Sequence, residues 1–274
     1  MPEAYGYLRY SHALEDSALD ESSGMILGPK GSIWSHNDSQ GEACLFVFPK
    51  DGKQSRKLSL ANLENVDWED LARVSYQKKD YVLVCDTGNN WHKRKESFLH
   101  LCELPKDVQS SQRLRLEKTV SVRFNEEVIN CESIAYDESK DSLYLIEKNY
   151  ETSTRLYKIN DFMLGASERN AEELCILNLE IATAMDISRD GFSAAVLTPK
   201  AIHVYQRLES ETWDEAFKKK SLNIALPKVL PQAEALCFTA DGKSVLISTE
   251  IDGHGLKFTP IYEVSLEKHL AEKI

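Results

Sequence analysis

Short runs of apolar residues recur along the whole chain. Most of them alternate with polar residues or are rich in β-branched and aromatic side chains, and turn sequences such as Asp241-Gly242 separate them. Short β-rich runs between turn signals predict an all-β fold. Two polar stretches, residues 160–174 and 209–220, differ from this pattern, and we predict peripheral helices there. Examples of the apolar runs are residues 44–48, 81–84, 143–146 and 244–247.

The runs form five repeats, each a hairpin followed by further strands. The repeats begin at Ser23, Glu69, Glu132, Thr183 and Glu234. Their starts are 46, 63, 51 and 51 residues apart, and the interval through the termini is 63. Units of about 50 residues with four strands are typical of β-propeller blades. Third strands are predicted at residues 45–48, 98–103, 156–159, 202–206 and 261–264, and fourth strands at 57–60, 118–123, 175–179 and 222–226.

The fifth repeat lacks a fourth strand of its own, and residues 5–14 can supply it. Such a strand closes the ring and removes free sheet edges. We therefore predict one β-propeller domain over residues 1–274 with five four-stranded blades. Six blades are the alternative if one of the 63-residue intervals holds another blade, and a β-sandwich is the alternative all-β fold.

The charge balance narrows the classes of partner. The chain has 33 Lys and Arg against 44 Asp and Glu, a net charge of −11. Nucleic acids and anionic lipid both attract basic surfaces, so we expect neither a nucleic acid nor a membrane as partner. No apolar run approaches the length of about 18 residues that spans a bilayer. The first twenty residues also lack the apolar segment of a signal peptide.

The six cysteines contain no CxxC pair. We expect free thiols buried in strands and a cytoplasmic location, with a disulfide framework as the alternative. The expected partner is a small-molecule substrate or ligand, and a protein partner stays unknown.

Acidic residues recur at equivalent positions of the repeats. Glu69, Glu132 and Glu234 lie where the first strand of a blade begins. In a propeller, the start of the first strand and the end of the second open on the same face. These acids should therefore meet those of the second strands at one mouth of the central channel. The residues at the second-strand ends are Asp38, Asp86, Glu147 and Glu250, with Asn37, Asn89, Asn90 and Asn149 beside them.

Carboxylates brought close together repel one another and raise their neighbours' pKa values. A bound cation relieves this repulsion. Oxygen ligands without paired Cys or His favour a hard cation, Ca²⁺ first and Mg²⁺ second, and Lys148 is expected to supply part of the compensation. The alternative is that these residues cap strands, bond to neighbouring blades or hold channel water.

His36 and Asp38 are the candidate catalytic residues. An imidazole with a pKa near neutrality can act as a general base or polarise a substrate. The alternative for His36 is a polar turn packed beside Trp34. One repeat later, Gly88 and the asparagines after it suit a tight turn with an unusual φ angle. The basic residues 93–95 that follow either meet an anionic substrate or form a solvated loop.

Four motifs in this order resemble those of bacterial β-propeller proteins whose activities are mostly uncharacterised. Such proteins are similar to the wider group of calcium-dependent phosphotriesterases, gluconolactonases and phytase-like esterases. The resemblance covers about residues 21–250. The motifs are WSHNDS at residues 34–39, DWEDLA at 67–72, DTGNN at 86–90 and QAEAL at 232–236.

The resemblance implies a calcium ion in the central channel, held by Glu, Asp and Asn. The matching positions here are Glu69, Glu132, Glu234, Asp86 and Asn37. The chain departs from the family pattern at Thr87 and Asn89 in the third motif and at Thr183 in the fourth blade. These departures reduce the negative charge available to a metal.

Together these features predict a divalent-metal-dependent hydrolase of small esters, lactones or phosphoesters that acts at the channel mouth. The metal would polarise the carbonyl or phosphoryl oxygen, and Asp38 or His36 would handle the proton. The alternative is a non-catalytic β-propeller that binds a small ligand or a partner protein, because a fold alone does not determine an activity.

Overall fold

The computed structural model describes residues 7–91, 93–125, 127–150, 153–227, 230, 232–251 and 254–267. Within them it contains 21 strands, a one-turn helix α1 (Trp213–Ala216) and a short 3-10 turn (Pro29–Gly31). The strands are β1 (Leu8–Leu14), β2 (Ser22–Leu27), β3 (Ile33–Asn37), β4 (Cys44–Phe48), β5 (Arg56–Ser59), β6 (Trp68–Tyr76), β7 (Lys79–Asp86), β8 (Ser97–Glu103), β9 (Arg115–Arg123), β10 (Cys131–Asp137), β11 (Ser142–Glu147), β12 (Thr154–Ile159), β13 (Glu168–Asn170), β14 (Glu172–Leu177), β15 (Ala184–Ile187), β16 (Ser193–Thr198), β17 (Ala201–Gln206), β18 (Leu222–Ala225), β19 (Ala233–Phe238), β20 (Ser244–Thr249) and β21 (Thr259–Ser265).

The strands form five small sheets arranged in a ring. The sheets run β2 to β5, β6 to β9 with β13 added, β10-β11-β12-β14, β15 to β18, and β19-β20-β21-β1. The innermost strands contact one another in the cyclic order β2, β6, β10, β15, β19 and back to β2. This is a five-bladed β-propeller, and the prediction of five blades is confirmed.

The N-terminal strand closes the ring. β1 pairs antiparallel with β21, from Leu8 opposite Val264 to Leu14 opposite Thr259. It supplies the fourth strand that the last repeat lacks, as the sequence predicts. Residues 5 and 6 of the predicted closing segment lie outside the described residues.

Apolar side chains fill the spaces between neighbouring blades. Five buried clusters each combine residues of two successive blades. Between the first and second blades, for example, Trp34 and Trp68 are fully buried in one cluster. Because each blade packs two faces against neighbours, its strands carry the β-rich apolar runs that the sequence shows.

The helix predicted at residues 160–174 is wrong. This stretch contains turns, then β13, which pairs parallel with β9 of the neighbouring blade, and then the start of β14, the outer strand of the third blade. β14 is mostly exposed, so it lacks the apolar alternation of a half-buried strand. Residues 209–220 do contain a helix, but only the single turn of α1, capped by Thr212 and Glu215.

All six cysteines are free, five buried and Cys175 half-buried, which confirms the expectation of free thiols. In the part of the chain that the structure describes, no helix has the length and apolar character needed to cross a membrane.

Candidate metal centre

Three glutamates occupy β-bulges at the same position of three inner strands. In β6, Trp68 pairs with Asp86 and Asp70 with the next residue of β7, Cys85, so Glu69 is the extra residue. Glu132 in β10 and Glu234 in β19 are the extra residues of equivalent bulges. A bulge redirects a side chain out of the regular ladder and often lies beside a functional site. The alignment of these acids is therefore a structural feature of the blades.

A carboxylate triad lies at the mouth of the channel where the inner strands begin. One carboxylate oxygen from each of Asp38, Asp67 and Glu69 lies within 4.8 Å of the other two. Two oxygens bound to the same Ca²⁺ at 2.3–2.6 Å can be at most about 5 Å apart. The three oxygens therefore lie close enough together to share one ion.

Two carboxylate oxygens of the triad residues are buried without a hydrogen-bond partner. They are Oε1 of Glu69 and Oδ1 of Asp38. Glu69 as a whole is only 3% exposed. A buried carboxylate oxygen with no donor is costly. A cation in the triad would supply the missing interaction.

The triad has room because residue 88 is a glycine. A Cβ atom on Gly88 would lie 2.0 Å from Oε1 of Glu69 and 2.5 Å from Oδ2 of Asp67. The φ angle of Gly88 is outside the left-handed region, so the expectation of an unusual φ there is wrong. Glycine is required here because a side chain would overlap the carboxylates, and not because of the backbone conformation.

Lys148 neutralises part of the cluster. Its Nζ lies 3.0 Å from Oε2 of Glu132, and Asn130 donates to Oε1 of Glu132 at 2.8 Å. Burial alone would lower the pKa of Lys148, but the carboxylates of Glu132, Glu234 and Glu69 outweigh it and raise the pKa. Glu132 is thus engaged on both oxygens, whereas Glu69 keeps one oxygen free of donors.

Burial and mutual repulsion raise the pKa values of the other acids. The pKa of Asp38 rises to about 7, first through burial and then through the charge of Glu132. The same causes raise the pKa of Asp67 to about 6. Burial raises the pKa of Glu234 to about 8. For Glu69, burial and then the charges of Glu132 and Asp38 hold the pKa well above its usual value.

Asp86 is beside the triad but already has partners of its own. Arg94 contacts its Oδ1 at 2.7 Å, and Nε2 of His100 lies 3.6 Å from its Oδ2. Burial alone would raise the pKa of Asp86, but hydrogen bonds from His100 and Arg94 outweigh it and lower the pKa. The structure therefore places Asp86 as the anchor of Arg94 and does not group it with the triad.

The side chain of Asn37 is used elsewhere. Its amide nitrogen donates to the carbonyl of Ala18 at 2.7 Å and to Asp20 at 3.1 Å, and its oxygen accepts the backbone N–H of Glu21. Asn37 thus holds residues 18–21, which follow β1, by hydrogen bonds. Of the two residues at the end of β3, only Asp38 belongs to the triad.

His36 is enclosed in the protein core. Its exposure is 0%, and its ring packs edge-on against Trp68 at 5.7 Å between centroids. Nδ1 donates to the carbonyl of Asn37 at 2.8 Å, and a Cβ on Gly24 would lie 2.5 Å from Nε2. Burial lowers the pKa of His36 to about 4. A substrate at the mouth has no path to this ring, so Asp38 is the better placed of the two predicted catalytic residues.

The remaining polar residues of the mouth make contacts within the protein. Oδ1 of Asn89 accepts the N–H groups of Lys93 and Arg94, and Glu147 pairs with Arg155 at 2.9 Å. Asn90 accepts a hydrogen bond from Asn130 at 3.1 Å. These residues hold the loops around the triad in position. Among the other predicted mouth residues, Asn149 donates to the carbonyl of Ser153, and Glu250 accepts from Gln232.

Below the mouth, Asp70 links the inner strands of three blades. Its fully buried carboxylate accepts N–H groups of Leu71 at 2.8 Å, Ile134 at 3.0 Å and Met185 at 3.1 Å. One side chain thus ties together the inner strands of three blades. Burial holds the pKa of Asp70 well above its usual value, although the three N–H donors oppose this.

Sequence reasoning did not select Asp67 or Asp70 as site residues. Both flank Glu69 in the DWEDLA motif, so the motif itself was the available signal. What it does not reveal is the bulge, which determines the side of the strand on which each acid lies.

No protein-family description matches this chain, and no curated protein sequence matches it either. The function therefore has to be inferred from the geometry of the site.

Proposed function

We propose that the protein binds one divalent cation, Ca²⁺ in preference to Mg²⁺, at Asp38, Asp67 and Glu69. The observation that carries this proposal is the buried, unpartnered oxygen of Glu69 inside a triad of carboxylate oxygens within 4.8 Å of one another. All three ligands offer oxygen, the donor that hard cations prefer, and irregular geometry suits Ca²⁺ better than octahedral Mg²⁺.

We further propose that the cation serves hydrolysis of small esters, lactones or phosphoesters at the channel mouth. When bound, it would polarise the carbonyl or phosphoryl oxygen of the substrate. Asp38 is the residue to move the proton, because it is only partly buried and the cation that it helps to hold would keep its carboxylate ionised and able to accept a proton. The motifs resemble those of mostly uncharacterised bacterial β-propeller proteins, and the similarity of such proteins to calcium-dependent esterases supports this proposal.

A second candidate is a non-catalytic propeller that binds a small ligand or partner protein. The observation that favours it is the enclosure of His36, which removes one of the two predicted proton-handling groups from the mouth. In this case the cation, together with Lys148, would serve to keep the acidic mouth assembled.

Metal binding is tested by thermal unfolding of EDTA-stripped protein titrated with Ca²⁺ and then Mg²⁺. A ligand specific for the native state adds about 2.7 kcal/mol at a hundredfold excess over its Kd. We expect a saturable rise in Tm that Glu69→Gln abolishes. Glu168→Gln, at an exposed position of β13, is the matched control and should retain the response. An equal response in both variants would remove Glu69 from the site.

Catalysis is tested separately with chromogenic esters, lactones and phosphoesters. We expect calcium-dependent turnover that Asp38→Asn reduces by about 10²-fold or more, the usual contribution of a general base, even at a Ca²⁺ concentration that saturates the variant. A wild-type protein that binds Ca²⁺ but hydrolyses none of these substrates would favour the binding function.

A further inference from the structure

The opposite mouth of the channel holds a cavity whose wall combines basic and acidic side chains. It has a volume of about 390 Å³, and all five inner strands, β2, β6, β10, β15 and β19, contribute to its wall. A cavity of this size suits a small molecule. It lies at the far ends of the strands whose beginnings carry the bulged glutamates, with Asp70 between the two mouths.

Three arginines line this cavity: Arg207, which donates to the carbonyls of Gly191 and Glu211, and Arg73 and Arg189, which have fewer protein acceptors. Arg189 makes no ion pair within the described residues, and its hydrogen bond goes to the carbonyl of Leu27 at a long 3.3 Å. Arg73 pairs with Asp80 at 2.7 Å, but its Nε is buried without a partner. Both side chains line the same cavity, so the positive charge of each acts on the other. Partial burial, and then the charge of Arg73, lower the pKa of Arg189.

Four acids share this wall, Asp137, Glu138, Asp186 and Asp190; protein donors contact three of them, although Oδ2 of Asp137 is buried without a donor. Asp186 accepts the N–H groups of Phe238 and Ile187, both at 2.8 Å. Oδ1 of Asp190 accepts the hydroxyl of Ser188 at 2.6 Å. Oδ1 of Asp137 accepts two hydrogen bonds from Ser139, at 2.7 and 3.0 Å. None of these acids forms an ion pair with Arg189 in the described part of the chain.

We propose that this cavity binds a small anion, with a carboxylate or phosphate group held between Arg73 and Arg189. A guanidinium group offers several N–H donors in a planar fork, which fits carboxylate and phosphate oxygens. An anion here would relieve the repulsion between the two arginines and supply an acceptor for donors that the protein leaves unused. The protein thus has a cation site at one mouth of its channel and an anion site at the other.

The test is a chemical-shift titration of the full nitrogen-15-labelled chain with inorganic phosphate and, separately, with acetate. EDTA is present so that no metal at the other mouth recruits phosphate, and sodium chloride holds the ionic strength constant. We expect saturable shifts of the amides of residues 73–75 and 186–191. The anion that saturates at the lower concentration identifies the preferred group.

Arg189→Ala should weaken the binding by about tenfold or more, because it removes a charge-assisted contact. Arg189 is exposed, so this variant should keep the fold, and its unperturbed spectrum checks that. Arg113→Ala, which removes the same charge from another exposed position, is the control and should bind like wild type. Arg73→Gln removes the other proposed guanidinium contact and should also weaken the binding. Shifts that do not saturate with either anion, or equal affinity in Arg189→Ala, would overturn the proposal.

Discussion

At the scale of single residues, the carboxylate triad has room only because Gly88 has no side chain. Gly88 faces Glu69 and Asp67 so closely that even a methyl group would overlap them. The site is therefore built as much by an absent side chain as by the acids themselves.

Gly88→Ala should lose the calcium response and destabilise the protein by about 1–3 kcal/mol, the usual cost of forcing extra volume into a packed region. Thermal unfolding with and without Ca²⁺ measures both effects. Gly41→Ala is the control, because a Cβ there meets nothing closer than 3.8 Å. A Gly88→Ala protein with wild-type calcium affinity would show that the space beside Glu69 is not used for the ion.

The sequence predicted where the site residues lie in the blades better than it predicted which side chains surround them. Glu69, Glu132 and Glu234 could be placed at equivalent points because the repeats align. The enclosure of His36 could not be foreseen, since it depends on Gly24 and Trp68 packing against the ring from other strands.

At the scale of elements, the inner strands are held together by carboxylates as well as by apolar packing. Asp70 of β6 accepts backbone donors from β10 and β15, and Asp186 of β15 accepts one from β19. Neighbouring inner strands are not paired in one sheet, so their N–H groups need such acceptors.

Asp70→Asn should destabilise the protein by about 2–4 kcal/mol. The amide group that replaces one carboxylate oxygen cannot accept from the donors it faces, and each buried donor left without a partner costs about 1–3 kcal/mol. Urea unfolding measures the loss. Asp161→Asn is the control, an exposed residue at φ 47°, a conformation that asparagine tolerates. A loss no larger in Asp70→Asn than in Asp161→Asn would contradict the linking role.

The strand pattern of the blades was predictable because inner and middle strands are buried on both sides and carry apolar runs. The strands within residues 160–174 could not be predicted, because β14 is an exposed outer strand and β13 pairs with a neighbouring blade. A β-bulge also leaves no recognisable signal in the sequence, because the extra residue can be of any ordinary strand-forming type. Sequence patterns therefore place Glu69 at the start of its strand but do not show the direction of its side chain.

At the scale of the whole molecule, ionisable side chains gather at both mouths of the channel. The mouth at the beginnings of the inner strands gathers carboxylates, and the mouth at their ends combines Arg73, Arg189 and Arg207 with four acids. Several half-buried acids of the two mouths, Asp38, Asp67, Glu234 and Asp186, have raised pKa values of about 6 to 8.

This charge distribution gives the metal-free protein a pH dependence of definite sign. A raised carboxyl pKa means that the native state holds protons that the unfolded chain releases near pH 4. The stabilisation is complete below about pH 4 and is lost as the pH rises through the folded values of about 6 to 8. Asp86 has the opposite sign, but its lowered pKa confines its effect to more acidic solutions.

We therefore expect the free energy of unfolding in EDTA to fall between pH 5 and pH 8 by about 1.4 kcal/mol per pH unit for each carboxyl until its folded pKa is reached, which is about 3 kcal/mol for Asp38 alone. Calcium should stabilise the protein more at pH 8 than at pH 5, because protons compete with the cation for the carboxylates. Urea unfolding across this range checks both trends. Metal-free stability that rises with pH would mean that the acids are ionised and compensated within the protein.

The most direct test of the central claim is anomalous diffraction from crystals grown with Ca²⁺. The account predicts one peak at about 2.3–2.6 Å from oxygens of Asp38, Asp67 and Glu69, beside Gly88. A map with no peak between these three carboxylates, from crystals soaked well above the calcium concentration that saturates the Tm shift, would contradict it.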